Sequence, residues 1–261
     1  MNRKKVALVL SGGSALGFAH IGVLKVLEEN NIPVDIIVGT SMGALVGAVY
    51  CCGVSLDEMQ KFASKFKTSD FFDWNFNKSG LFSGKGVMRA INKMLPDINI
   101  ESLDKTFACV ACDLISEKEV VFRTGNLRDA VRSSLSIPGV FVPKYLEDQV
   151  LVDGGVINNL PEDVAMKMGA EVIISVDVLS KYHLKSKPKN MIETILYSLN
   201  VQTKEVQKFK SCHSDVLIQP DTSDLAQMRF GKVSASKAVQ KGIEEAEKYI
   251  KDIKKLIKNT R

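Results

Sequence analysis

Residues 36–43 read IIVGTSMG. An apolar run stops at a glycine, and one serine then stands inside Gly39-Thr40-Ser41-Met42-Gly43. ALVGAVY follows, an apolar stretch with helical rather than alternating spacing. A strand delivering a serine to a sharp turn, with a helix carrying the chain away, is the context that G-x-S-x-G requires. The backbone at such a turn is strained, and small neighbours spare it Cβ clashes. Ser41 is then presented at the carboxyl end of a strand. The first amides of the next helix, Met42 foremost, point at the same spot with partial positive charge. Without its setting the pattern is an ordinary glycine-rich strand-to-helix turn. With it, Ser41 is a candidate nucleophile.

Upstream, Val6–Leu10 reads as a short buried strand, followed by SGGSALG (11–17) and the helical AHIGVLKVLEENN. The first 53 residues therefore run strand–turn–helix twice, which predicts a parallel α/β core. Glycine-rich residues between a strand and a helix present unpaired amides to an anion. Gly12, Gly13 and Ser14 are thus candidate donors to an oxyanion. A nucleotide phosphate is the competing ligand. However, Ser14 stands where G-x-G-x-x-G needs its middle glycine, and no Walker lysine follows. Asp35 lies at the distance of a ribose-binding acid but precedes its strand instead of ending it.

Strands are also expected at Val34–Val38, Phe107–Leu114, Glu119–Arg123, Gln149–Val152, Val172–Val178 and Val216–Gln219. Helices are expected at Met42–Cys52, Leu127–Leu135, Asn159–Met168 and Met191–Lys210. Residues 54–105 break the rhythm and hold Phe62, Phe66, Phe71, Phe72, Trp74, Phe76 and Phe82. The segment 62–82 reads either as a lid or acyl-chain wall or as a small satellite core. Val239, Ile243, Ala246, Ile250, Ile253 and Ile257 recur at spacings of four and three. They predict one amphipathic helix over about 234–258 with lysines on its other faces. Packing on the domain is its expected use, contact with anionic lipid the alternative. No linker or repeat divides the 261 residues, so one domain is expected.

A nucleophilic serine needs a base. The chain has 3 histidines. His20 lies within the first helix, His183 in a polar loop, and His213 just before the last strand. Ser41, Asp153 and His213 fall in the order of an α/β-hydrolase triad. Asp153 carries the stronger local signal: it ends a strand, is followed by Gly154-Gly155, and belongs at the carboxyl edge of a sheet. A direct Ser41–Asp153 dyad is the sharper reading, a plain Asp-Gly turn the bland one.

The remaining features exclude more than they suggest. A net charge of +5 is too mild to indicate nucleic-acid binding. The odd count of 5 cysteines suits a reducing compartment. Cys109-Val-Ala-Cys112 lies in a buried-strand pattern with no second ligand pair, so core cysteines are expected, not a metal or redox site. The first residues mimic a signal peptide, but Gly12, Gly13 and Ser14 interrupt the apolar stretch. No apolar run nears the ~18–20 residues of a spanning helix. A cytoplasmic protein, peripheral at most to the inner membrane surface, is expected.

Three segments together carry a resemblance. SGGSALGFAHIGVLKVLEE (11–29), GTSMGALVGA (39–48) and LVDGGVINNLPEDVAMKMGAEVIISVDV (151–178) resemble the motifs of bacterial patatin-like phospholipases of the neuropathy-target-esterase type. Weaker likeness runs through GLFSGKGV, FACVACDL and SLSIPGVFVP, so it covers about residues 5–180. The resemblance implies a three-layer α/β/α sandwich with a mainly parallel sheet and a Ser41–Asp153 catalytic dyad. It places oxyanion glycines at Gly12 and Gly13, Ser14 where a third glycine usually stands, and Leu16 where an arginine does. It implies lipid acyl-ester hydrolysis without metal or cofactor. A soluble esterase, thioesterase or acyltransferase, and a non-catalytic nucleotide-binding protein, are the alternatives. Headgroup, acyl length and oligomeric state are not encoded in any motif.

Overall fold

The computed structural model describes residues 3–71, 80–210 and 213–258. Eight strands form one sheet: β1 Val6–Leu10, β2 Ile36–Thr40, β3 Thr106–Asp113, β4 Lys118–Phe122, β5 Lys144–Leu146, β6 Gln149–Asp153, β7 Val172–Val176 and β8 Val216–Ile218. Their order is β5-β6-β3-β2-β1-β7-β8, with β4 also on β3. The pairings β3–β2, β2–β1, β1–β7 and β7–β8 are parallel. Those of β4, β5 and β6 are antiparallel.

The helices are α1 Ala19–Glu29, α2 Met42–Cys51, α3 Leu56–Lys65, α4 Thr68–Phe71, α5 Lys85–Met94, α6 Leu127–Ser134, α7 Glu162–Lys167, α8 Met191–Phe209, α9 Lys232–Ala246 and α10 Ile250–Ile257. Side chains alternate across a strand, and β1 shows it. Val6, Leu8 and Leu10 enter a large core shared with α1, α2, α5, α6 and α9. Ala7 and Val9 enter a smaller one closed by Val164 and Ala165 of α7. With helices on both faces of a mainly parallel sheet, the architecture is the expected three-layer α/β/α sandwich.

Local chemistry sets several boundaries. Ser55 and Glu58 form a reciprocal capping box at the start of α3. Asn126 and Asn190 cap α6 and α8 through the Asp129 and Glu193 amides. Asp35 is not a ribose acid: it holds the Arg3 guanidinium at 2.6 and 2.7 Å and the Val6 N–H at 2.8 Å. The helix expected from Asn159 begins only at Glu162, behind Pro161, because Asn158 and Asn159 are used elsewhere. Strand β5 was not evident from its short sequence. Phe66 and Phe82 of the aromatic segment are buried in the large core. Phe72, Trp74 and Phe76 lie outside the described residues, as does Cys212.

The single C-terminal helix expected over 234–258 is broken by a tight turn at Glu247–Tyr249. Its apolar side is nonetheless buried: Ala235, Ala238, Val239, Ala246, Ile250 and Ile253 all face the large core. The crossing with α1 is backbone on backbone. A Cβ at Gly22 would lie 2.0 Å from the Val239 carbonyl oxygen, and one at Gly242 2.0 Å from that of Ala19. No described helix is long and apolar enough to cross a membrane. Gly242→Val should force α9 off α1 and destabilise the fold by about 1–3 kcal/mol. Urea unfolding should show a lower midpoint, whereas Ser236→Ala, on the exposed side of α9, should leave it in place.

Candidate active site

Ser41 links β2 directly to α2 with φ 55° and ψ −122°. A non-glycine residue at positive φ costs of order 1–3 kcal/mol and persists only when its surroundings enforce it. Here they do. The Ser41 N–H donates to Ser134 Oγ at 2.8 Å, and that hydroxyl donates onward to the Val110 carbonyl at 2.7 Å. Thr40 Oγ1 donates to the Asn158 carbonyl at 2.9 Å. The flanking glycines serve close approach, since neither has positive φ. A Cβ on Gly39 would sit 2.6 Å from the Gly43 backbone, and one on Gly43 2.2 Å from the Leu10 carbonyl oxygen.

Asp153 reaches Ser41 by a route that strand direction alone does not suggest. Strand β6 runs against β3, so its carboxyl end is not at the carboxyl edge of a parallel strand. Register places it there instead. Strand β2 covers β3 as far as Val110, opposite Thr40. Strand β4 covers Cys109–Asp113, so it must take the other edge of β3. Strand β6 pairs with Ala111–Asp113, with Asp153 opposite Ala111, and so continues the edge that β2 vacates. Thr40 and Asp153 thus occupy successive rungs of one edge, and the two strands end head to head. Gly154 completes the fit: a Cβ there would lie 2.4 Å from the Val110 carbonyl oxygen.

Asp153 is only 6% exposed and Ser41 5%. Burial pushes the Asp153 carboxyl up to about 6, against the opposing pull of the Ser41 hydroxyl and of the Gly155 N–H. The Gly155 N–H donates to Asp153 Oδ1 at 2.8 Å. The result is a carboxylate able to accept a proton near neutral pH, in contact with a hydroxyl.

The glycine turn passes alongside. A Cβ at Gly12 would meet that of Ser41 at 3.1 Å. Gly12, Gly13, Ser14, Ser41 and Asp153 line one cleft of ≈ 420 Å³, counting its open mouth. The N–H of Gly12, expected to be a free donor, is instead bonded to the Asn159 carbonyl at 3.3 Å. That bond ties the turn to the segment after Asp153. The N–H groups of Gly13, Ser14 and Met42 have no acceptor among the described residues. Ser14 takes φ 52°, the left-handed region where glycine is favoured. Leu16 is fully buried in the large core.

The histidines are elsewhere. His20 is fully buried with Nε2 2.8 Å from the Ser11 carbonyl oxygen, and burial lowers it to about 4. His183 is exposed beside the Lys181 carbonyl. His213 lines a separate cavity with Glu162 and Asp177, and its N–H donates to Glu162 at 2.8 Å. The triad order therefore does not become a triad in space. Cys109 and Cys112 are buried on β3, their thiols pushed up by burial. Sequence reasoning missed Ser134, Asn159, Asn200, Thr203 and Gln227. Asn159 lies inside the quoted Asp-Gly-Gly segment and Ser134 opens SLSIPGVFVP, but nothing in either stretch marks them as site residues; Asn200, Thr203 and Gln227 sit in no motif and are brought to the site by long-range packing.

The patatin-like phospholipase family model matches residues 8–166. Patatin-like phospholipase domain-containing protein 6 of Mus musculus is 36% identical over 184 residues, covering 67% of this chain and 14% of that protein. Neuropathy target esterase sws of Drosophila melanogaster is 36% identical, with 67% and 13% covered. An uncharacterized NTE family protein of Mycobacterium tuberculosis is 34% identical, with 67% and 49% covered. The chain thus spans 13–49% of the length of these relatives. VipD from Legionella pneumophila shares the fold with a TM-score of 0.62 at 12% identity, over 97% of this chain and 67% of that one. The type III effector ExoU follows with a TM-score of 0.51 at 12% identity, over 96% and 53%. Since the matched residues 8–166 take in the glycine turn, Ser41 and Asp153 alike, the chain belongs to the patatin-like phospholipase family.

Proposed function

We propose that the chain is a serine acylhydrolase cleaving lipid acyl esters, in the manner of a phospholipase A or lysophospholipase, through a Ser41–Asp153 dyad. The observation that carries the reading is the pairing of a buried carboxyl with the hydroxyl of a serine whose backbone is strained, beside three N–H groups that have no acceptor among the described residues. In this mechanism Asp153 takes the Ser41 proton as Oγ bonds to the ester carbonyl carbon. The carbonyl oxygen becomes an oxyanion, held by the N–H groups of Gly13, Ser14 and Met42. The intermediate collapses, the alcohol oxygen leaves, and Asp153 returns the proton to it. Water then attacks the acyl-serine with Asp153 again as base. One oxyanion donor is typically worth ~3–4 kcal/mol, so the geometry of the turn matters alongside the dyad.

A narrow second pocket adjoins the cleft at Ser14 and Ser41. It is walled by Met42, Val87, Leu135, Phe141, Met228 and Phe230, an apolar lining that suits the first carbons of an acyl chain. Phe66 meets Phe230 edge-on and Phe82 lies tilted against Phe141, so both back this wall. This supports the wall reading of the aromatic segment. Cytoplasmic residence and lipid contact through the exposed Lys251, Lys255 and Lys258 of the C-terminal segment belong to the same proposal.

Ser41→Ala and Asp153→Asn should each abolish ester hydrolysis, whereas His213→Ala should retain it; a dead His213→Ala enzyme with normal folding would overturn the dyad. Because Asp153 must be ionised to act, kcat/KM should rise with pH up to about 6 and then level. The same group makes a stability prediction. A carboxyl raised when folded keeps its full stability below its unfolded value and loses it as pH climbs through the folded one. Ionising Asp153 in place costs about 3 kcal/mol. Asp153→Asn should therefore melt higher than the parent at pH 8, and the gap should close toward pH 4. Replacing Lys251, Lys255 and Lys258 by Glu should abolish flotation with phosphatidylglycerol vesicles. Unchanged flotation would remove the lipid contact from the proposal.

A further inference from the structure

One buried titratable group beside the site takes no part in the proposed chemistry. His20, the second residue of α1, is fully buried. Its Nε2 lies 2.8 Å from the Ser11 carbonyl oxygen. A carbonyl oxygen only accepts, so Nε2 carries the proton. Burial lowers the ring to about 4, which leaves it neutral near pH 7 with Nδ1 bare. That Nδ1 is buried and has no hydrogen-bond partner among the described residues. An apolar side chain would fill the same space without the penalty of an unmet buried nitrogen. What His20 offers beyond a leucine is the Nε2–H bond.

That bond acts on the oxyanion turn. Ser11 follows β1, where its N–H donates to the Val176 carbonyl and its Oγ accepts the Val178 N–H, both at 3.0 Å. Neither contact fixes the plane of the Ser11–Gly12 peptide. Its two ends do: the Ser11 carbonyl accepts from His20 at 2.8 Å, and the Gly12 N–H donates to the Asn159 carbonyl at 3.3 Å. A peptide unit is planar, so turning one end turns the other. The His20 bond is the shorter and supplies the firmer hold. Gly13 and Ser14 come next along the chain, and any rotation of this plane re-aims their N–H groups.

The same carbonyl touches the nucleophile turn. A Cβ at Gly43 would lie 2.7 Å from the Ser11 oxygen. A Cβ at Gly17 would meet Met42 Cβ at 2.8 Å and the His20 ring at 3.6 Å. His20 therefore stands behind both turns where they meet. Gly13 and Ser14 belong to one turn and Met42 to the other. Donors on separate turns can hold one developing oxyanion only while their spacing is kept. We infer that His20 is the positioning residue of the oxyanion site: through its Nε2–H and the Ser11 carbonyl it fixes the glycine turn against the nucleophile turn, and so sets the aim of the Gly13, Ser14 and Met42 N–H groups.

The inference rests on the acylhydrolase reading and can fail separately from it. The experiment compares the full chain with its His20→Leu, His20→Gln and His20→Asn variants. The substrate is p-nitrophenyl butyrate, and the inhibitor is an alkyl trifluoromethyl ketone, to which Ser41 Oγ adds to form a tetrahedral oxyanion. Gln carries an N–H at the reach of Nε2, Asn only at the reach of Nδ1, and Leu none. His20→Leu and His20→Asn should lower kcat and weaken the ketone by roughly ten- to a hundredfold, with KM within about twofold of the parent. His20→Gln should recover most of both losses. The ratio of ketone Ki to KM is internal to each protein, so partial unfolding does not alter it, and the Asn–Gln pair serves where Leu does not fold. A side chain that merely filled space would move Ki and KM together, and would be replaced no better by Gln than by Asn. An unchanged Ki/KM ratio in the Leu and Asn variants, or a Gln variant as impaired as those two, would overturn the positioning role. A parent that hydrolyses no butyrate would overturn the acylhydrolase reading, and this inference with it.

Discussion

The site depends on one edge of β3. Strand β2 occupies that edge up to Val110 and β6 occupies it from Ala111 onward, so two strands of opposite direction finish against each other. Whatever follows each strand must then share one small volume. Ser41 follows the first, and Asp153 closes the second. Hydrogen-bonding register, not side-chain attraction, brings the two together. A one-residue slip of either strand would reverse the faces of its side chains and part the pair. The Val110 carbonyl sits at the seam, accepting from Ser134 Oγ and lying against Gly154.

Strain and charge are stored at the same seam. Positive φ at Ser41 and Ser14 and a buried carboxyl at Asp153 each cost stability on their own. The surrounding structure offsets them by leaving little else to rearrange. Strands β1, β2 and β7 are buried along their whole lengths, and Gly39 and Gly43 let α2 start against β1. Such a site is strained at rest because a neutral, relaxed arrangement would have no basic carboxylate and no unpaired donors. The costs fall on the groups that the proposed chemistry uses.

The glycine turn illustrates how a local motif acquires a role from afar. Its sequence predicts unpaired amides, and those of Gly13 and Ser14 have no acceptor among the described residues. Yet the Gly12 N–H is engaged by Asn159, and Ala15 is held by Gln227. The turn is therefore clamped by two distant segments, one following Asp153 and one preceding α9. Helix α8 adds a wall that no motif announces. Its sequence reads as a half-exposed amphipathic helix, and only Leu196 and Asn200 of it are buried.

What the sequence determined by itself is short-range. The strand–turn–helix units, the apolar face of the C-terminal segment, and the pairing of Ser41 with small neighbours follow from sterics and periodicity within a few residues. These gave the α/β class and a nucleophile candidate, and three motifs in order gave the family resemblance. Tertiary structure decided what depends on pairing between remote segments. It set the antiparallel direction of β6 and the register that lifts Asp153 to Ser41. It excluded His213, which the chain order alone admits, and broke the terminal helix at Glu247–Tyr249. It also assembled the amides of Asn200 and Gln227, 27 positions apart. The physical reason is that backbone sterics act along the chain, whereas hydrogen-bond register and burial are settled only when distant segments compete for the same edge.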